Sequence, residues 1–99
     1  MEYQLRRYRI RAGSMDAFLD AWLRGVYPLR RRFGFTFAGA WRVDDTDEFV
    51  WIIGYDGPEG FAVADKRYYE SQERKSVLPD PAQYIEAASN SMVRSVLPG

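Results

Sequence analysis

The sequence predicts an α+β domain, and three observations carry that prediction. Phe35 to Tyr55 has two aromatic-rich runs flanking an acidic turn, the pattern of a β-hairpin. Met15, Phe18, Leu19, Trp22 and Val26 recur at offsets 0, +3, +4, +7 and +11, an apolar stripe at helical spacing. The remaining segments alternate strand and helix signals, so the order reads strand, helix, strand, strand, helix, strand. A hairpin carrying Trp41 and Trp51 cannot stand alone in water, and the rest of the chain is best read as its cover.

In chain order, Glu2 to Arg11 reads as the first strand. Tyr3 and Leu5 lie on one parity and Tyr8 and Ile10 on the other, which suggests a bulge or a central strand partly covered on both faces. Its arginines, Arg6, Arg7, Arg9 and Arg11, alternate across the strand and form no single patch. One facing inward could balance a buried carboxylate or a ligand anion. Ser14 is the expected N-cap of the first helix, with Asp16 suited to its dipole. Gly25 and Pro28 should loosen the helix near its end. A further turn over Leu29–Phe33 should stop at Gly34. Arg30, Arg31 and Arg32 read as a solvated helix end.

Asp44, Asp45, Thr46 and Asp47 supply the hairpin turn. The expected register pairs Val43 with Glu48, so that Trp41 shares a face with Val50, and Trp51 with Ala38, Ala40 and Arg42. A one-residue slip would exchange the faces. Val50, Ile52 and Gly54 are expected to receive the helices, with Trp51, Ile53 and Tyr55 on the opposite face. After the turn at Asp56–Gly60, Phe61 to Val77 reads as the second helix, with exposed pairs Lys66–Glu70 and Glu70–Arg74. Asp80 and Pro81 should cap a short helix to about Ala87, and Ser89 to Leu97 should form the last strand, ahead of the terminal Pro98-Gly99. This order gives a ferredoxin-like βαββαβ arrangement: a four-stranded antiparallel sheet with helices on one face. The other face keeps large apolar side chains, and a second copy is the natural cover, so a homodimer is expected.

Composition narrows the chemistry. At 99 residues the chain is a single domain spanning 1–99 with a modest core, and 46% hydrophobic with 16% aromatic content marks it as globular. Lys plus Arg and Asp plus Glu are 14 each, so no global basic field exists to hold nucleic acid. There is no Cys and no His, which removes thiolate and His-based catalysis and leaves proton transfer to Tyr, Asp, Glu, Lys, Arg or water. No metal-ligand spacing occurs, and no cofactor is expected. The N-terminus lacks an apolar signal core, and no apolar run approaches the roughly 20 residues of a membrane span. Cytoplasmic placement without membrane association is the expectation.

Tyr3-Gln4-Leu5-Arg6-Arg7-Tyr8 with Ile10 and Gly13, the Met15–Trp22 helix, Gly34-Phe35 through Trp41, and Tyr55-Asp56 together resemble bacterial NIPSNAP-like proteins. Tyr68-Tyr69-Glu70-Ser71, Pro79-Asp80-Pro81-Ala82 and Met92-Val93-Arg94 extend the resemblance over nearly the whole chain. It implies the dimeric α+β-barrel superfamily, with two ferredoxin-like sheets face to face. Relatives there include cofactor-independent monooxygenases, cyclases, isomerases and haem-degrading enzymes. The resemblance therefore implies a small-molecule-binding protein, with cofactor-independent oxidation, cyclisation or isomerisation of an aromatic or polyketide-like metabolite of secondary metabolism as the reaction class. The other implication is a non-catalytic homodimeric interaction module. Relatives often carry His in the barrel strands, and this chain has none.

The candidate ligand-binding residues are Arg42, Trp51, Tyr55 and Tyr69, around a small aromatic or apolar ligand inside the subunit. Aromatic walls hold planar ligands, and a guanidinium holds a carboxylate or developing oxyanion. The competing reading makes the tryptophans core and interface packing. Tyr68 fits the apolar stripe of its helix, which leaves Tyr69 free to face a cavity mouth. Asp56 reads either as a site residue at a strand end or as a turn-capping residue.

Overall fold

The computed structural model describes residues 1–98. The terminal Gly99 lies outside the described residues. β1 (Glu2–Ile10) leads into α1 (Met15–Ala21), a π-helical segment (Trp22–Val26) and α2 (Tyr27–Arg32). β2 (Thr36–Arg42) and β3 (Glu48–Tyr55) form the hairpin. α3 (Phe61–Glu70), α4 (Gln72–Lys75), a 3-10 turn (Pro81–Tyr84) and β4 (Ile85–Val93) complete the chain.

The sheet is antiparallel throughout, in the order β2-β3-β1-β4. β1 is therefore central, and β2 and β4 are edges that do not pair with each other. This overturns the expectation of an α+β barrel: the sheet is open. Closing a barrel requires enough tilted strands to leave room for side chains inside, typically about eight, and four cannot curl that far.

The hairpin register matches the sequence reading. Val43 N donates to Glu48 O at 3.0 Å, Trp41 pairs with Val50, and Arg42 with Phe49. A bulge between Phe37 and Gly39 shifts the far end. The face assignment is reversed, however. Phe49, Trp51 and Ile53 are buried under the helices, while Val50 and Ile52 lie on the uncovered face. Helix stripe and strand parity select one another by bulk. Trp22 packs its ring 5.2 Å from Trp51 and 5.1 Å from Phe49, and Phe37 stacks on Trp51 at 5.7 Å. Such contacts bury far more apolar area than Val50 and Ile52 could offer. Tyr8, Ile10, Phe18, Phe61 and Tyr68 complete this core.

The first helix is one continuous run interrupted by the π segment, where the Tyr27 amide bonds to the Trp22 carbonyl five residues back. Gly25 lies here for a steric reason: a Cβ would meet Val77 Cγ1 at 2.5 Å. Ser14 holds the N-cap position, but its side chain makes no capping bond. Gly34 ends α2 with φ +90°, as its position after the last apolar residue suggests. The predicted second helix breaks at Ser71, whose backbone turns extended and whose hydroxyl caps α4 by accepting from Arg74 N at 3.1 Å. Asp80 caps the 3-10 turn by accepting from Ala82 N at 2.9 Å. The last strand starts at Ile85, four residues before the predicted Ser89, because the turn stops at Tyr84 rather than Ala87.

No helix among the described residues is long and apolar enough to cross a membrane.

Candidate functional site

Three side chains from three elements meet under the helices. Arg6 on β1 is only 2% exposed, and Arg30 on α2 only 1%. Both reach Asp65 on α3: Arg30 Nη1 donates to Asp65 Oδ1 at 2.7 Å and Arg6 Nη2 to the same oxygen at 3.0 Å. Arg6 also donates through Nη1 to the Tyr69 hydroxyl at 2.7 Å and through Nε to Gln4 Oε1 at 2.7 Å. The flat faces of the guanidiniums are used as well. Arg30 Cζ sits 3.8 Å from the Tyr68 ring centroid and Arg6 Cζ 5.2 Å from that of Trp51. Burial opposes the Arg6 charge, but Tyr69, Tyr8 and Asp65 outweigh it and hold its pKa above the ordinary value.

Beside this cluster lies a cavity of about 80 Å³ between the helices and the inner sheet face. Trp22, Trp51, Tyr8 and Phe18 wall it, Arg30 and Tyr68 line its depth, and Tyr69, Arg74 and Ala82 stand toward solvent. Arg74 is fixed by donating through Nη2 to Asp80 Oδ1 at 3.0 Å. Burial opposes both charges of this pair. The mutual bond, helped at Asp80 by the Ala82 amide, still lowers the Asp80 pKa and raises that of Arg74. Larger depressions, such as one of about 530 Å³ lined by Arg7, Arg9, Glu48 and Ser89, are open grooves.

Among the described residues, five buried side-chain polar atoms lack a hydrogen-bond partner, and all five belong to residues lining the small cavity. They are Trp22 Nε1, Arg30 Nε, Trp51 Nε1, Tyr68 OH and Arg74 Nε. Leaving one such group unsatisfied costs about 1–3 kcal/mol. Beside a cavity such groups are completed by ordered water or by a ligand. Native interiors rarely concentrate such a cost in one place without a use for it.

The lining suits oxyanion binding better than proton abstraction. Burial pushes Tyr68 up to about 12 and raises Tyr8, so neither hydroxyl is a ready base near neutral pH. Asp65 is held by two guanidiniums. Among the described residues no group of three or more His, Cys, Asp or Glu could hold a metal ion.

Of the four residues the sequence singles out, Trp51 and Tyr69 line the cavity and Arg42 and Tyr55 do not. Arg42 is half exposed at the end of β2 and pairs with Asp16 at 3.6 Å. Tyr55 packs on Phe35 and donates to Glu59. Asp56 binds the N-terminal ammonium at 3.0 Å. The reading of Arg30 as part of a solvated helix end is wrong, and one sequence signal opposes it. Arg30 falls four residues after Val26 and eight after Trp22, on the same buried row. Arg74 leaves Glu70 for Asp80 because the break at Ser71 ends the helical spacing that the predicted pair needs.

Solved structures similar to this fold include an uncharacterised NIPSNAP domain protein from Burkholderia xenovorans. It is 20% identical with a TM-score of 0.84, over 100% of both chains. A NIPSNAP family protein from Agrobacterium tumefaciens strain C58 is 20% identical with a TM-score of 0.81, over 94% of this chain and 90% of that one. An antibiotic biosynthesis monooxygenase is 12% identical with a TM-score of 0.73, over 98% and 100%. At these identities the likeness shows the fold alone. No curated protein matches the chain. The NIPSNAP family pattern matches residues 3–97, nearly the full length and including every residue of the Arg6–Arg30–Asp65 cluster and the cavity lining, so this chain belongs to the NIPSNAP family.

Proposed function

We propose that the protein binds a small, flat organic molecule in the cavity between its helices and its sheet. The carrying observation is that, among the described residues, all five buried polar atoms without a partner belong to side chains that line it, beside an aromatic wall. Trp22 and Trp51 offer planar surface, and the cationic rim offers orientation. The fold neighbour that is an antibiotic biosynthesis monooxygenase acts, by its name, in small-molecule chemistry, which is in keeping with this reading. A thermal-shift screen of small aromatic compounds tests it: binders should raise Tm in a concentration-dependent way. Ala82→Trp, at an exposed position on the cavity rim, should fold normally and lose that response. A screen with no stabiliser, or a response that survives in Ala82→Trp, would defeat the proposal.

We also propose that two copies pair through the uncovered sheet face. Trp41 is 52% exposed there, beside Val50 and Ile52 on β3 and Leu5 on β1. Apolar side chains grouped on an uncovered face, here with Arg7 beside Val50, are a natural interface between identical sheets. Light scattering should give twice the mass of the 11.5 kDa chain at micromolar concentration. Ile52→Asp should halve it, and a wild-type monomer would refute the pairing.

A further inference from the structure

We infer that the cavity is selective for a planar monocarboxylate, with its carboxylate held by Arg30 and Arg74 and its body against the wall that Trp22 and Trp51 form together. This deepens, and rests on, the small-molecule reading above.

The first argument is the donor inventory. The side chains lining the cavity include two guanidiniums, three phenols and two indoles, and no carboxylate or amide. Indole and guanidinium groups only donate, and phenols do so readily. The Tyr69 hydroxyl already accepts from Arg6, so its own proton is available to a further acceptor. All five unpartnered polar atoms can donate. A ligand that satisfies such a lining must bring acceptor oxygens, which excludes amines and most neutral hydrocarbons as the preferred occupant.

The second argument is charge. Arg6, Arg30 and Arg74 bring three positive charges, and their partners Asp65 and Asp80 bring two negative ones. The cluster is left with one cation in excess, and a single negative charge balances it. A dianion would reverse the imbalance in a site of low dielectric, where that costs most.

The third is shape. At about 80 Å³ and roughly 10–15 Å³ for each water-sized group, the cavity holds about half a dozen non-hydrogen atoms. That is room for a carboxylate and part of a ring. The remainder of the molecule would emerge between Tyr69, which is 43% exposed, and Ala82.

Benzoate and its neutral counterpart benzamide separate these ideas, using the full chain and following tryptophan fluorescence together with Tm. Benzoate should bind saturably, and benzamide at least tenfold more weakly. Phthalate, a dianion with the same ring, should also fall below benzoate. Arg74→Gln should weaken benzoate at least tenfold and leave benzamide unchanged. If that variant does not fold, Tyr69→Phe, which removes one donor, should weaken benzoate several-fold. Benzamide binding as tightly as benzoate, or phthalate binding more tightly, would overturn the inference while leaving a small-molecule site in place. Binding of uncharged aromatic compounds with none of benzoate would do the same. Failure of benzoate, benzamide and every compound of the aromatic screen would overturn both.

Discussion

Replacing Asp65 with Ala should cost about 3–5 kcal/mol of folding stability. The change strands two guanidiniums that are almost wholly buried and share a single carboxylate oxygen. Removing one partner of a buried ionic cluster leaves uncompensated charge, and penalties of that size follow. Asp65 itself is 22% exposed, so water can reach part of the cluster and the lower end of the range is expected. For a domain of this length, each kcal/mol moves Tm by about 4–8 °C. A circular-dichroism melt should therefore show a fall of roughly 12 °C or more. A fall of only a few degrees would mean that Arg6 and Arg30 swing out to water once released, and that their burial is not built into the fold. Asp65→Asn keeps the shape and loses the charge, so it should lie between the wild type and Asp65→Ala.

Trp51→Ala should be about as damaging, at about 3–5 kcal/mol, by a different mechanism. Trp51 is 1% exposed and meets Tyr8, Trp22 and Phe37 through its ring, with Arg6 5.2 Å from its centroid. Truncating a buried aromatic residue loses its transfer energy and leaves a hole that close-packed neighbours fill only in part. Because Trp51 also walls the cavity, the hole would merge with it. Ligand binding should then weaken even in protein that remains folded. Chemical denaturation should show a lower midpoint. An unchanged midpoint would mean that Trp22 and Phe37 collapse into the space.

The two variants probe the parts of the molecule that differ most in how readable they are from sequence. Trp51 stands out at once, since an alternating aromatic strand beside a turn of aspartates has few other meanings. The Val43–Glu48 pairing and the Asp80–Pro81 cap are equally local, and each follows from neighbours a few residues apart. The Arg6–Arg30–Asp65 cluster is not local. Asp65 lies 59 residues from Arg6 and 35 from Arg30, and none of the three has a ligand-like spacing. With acids and bases equal in number, composition gives no hint that some charges are buried. Which face of the hairpin meets the helices is hidden for a similar reason. Parity tells which residues share a side, but only the bulk of Trp22 and Phe18 arriving from another element tells which side is in. The expected barrel fails on a third kind of information, the number of strands that one chain brings to closure.

The π-helical segment at Trp22–Val26 lets the first helix carry one extra residue without turning its far end. A π turn takes up about one residue more than an α turn. In a regular helix that residue would instead rotate everything beyond it by about 100° around the axis. The π turn absorbs the rotation, so Met15 and Phe18 before it and Arg30 after it all face the interior. Deleting one residue between Trp22 and Val26 should therefore heal the helix into a regular one and keep Arg30 facing Asp65. Among relatives, the spacing between the first helix's tryptophan and its arginine is thus free to differ by one residue without loss of the cluster.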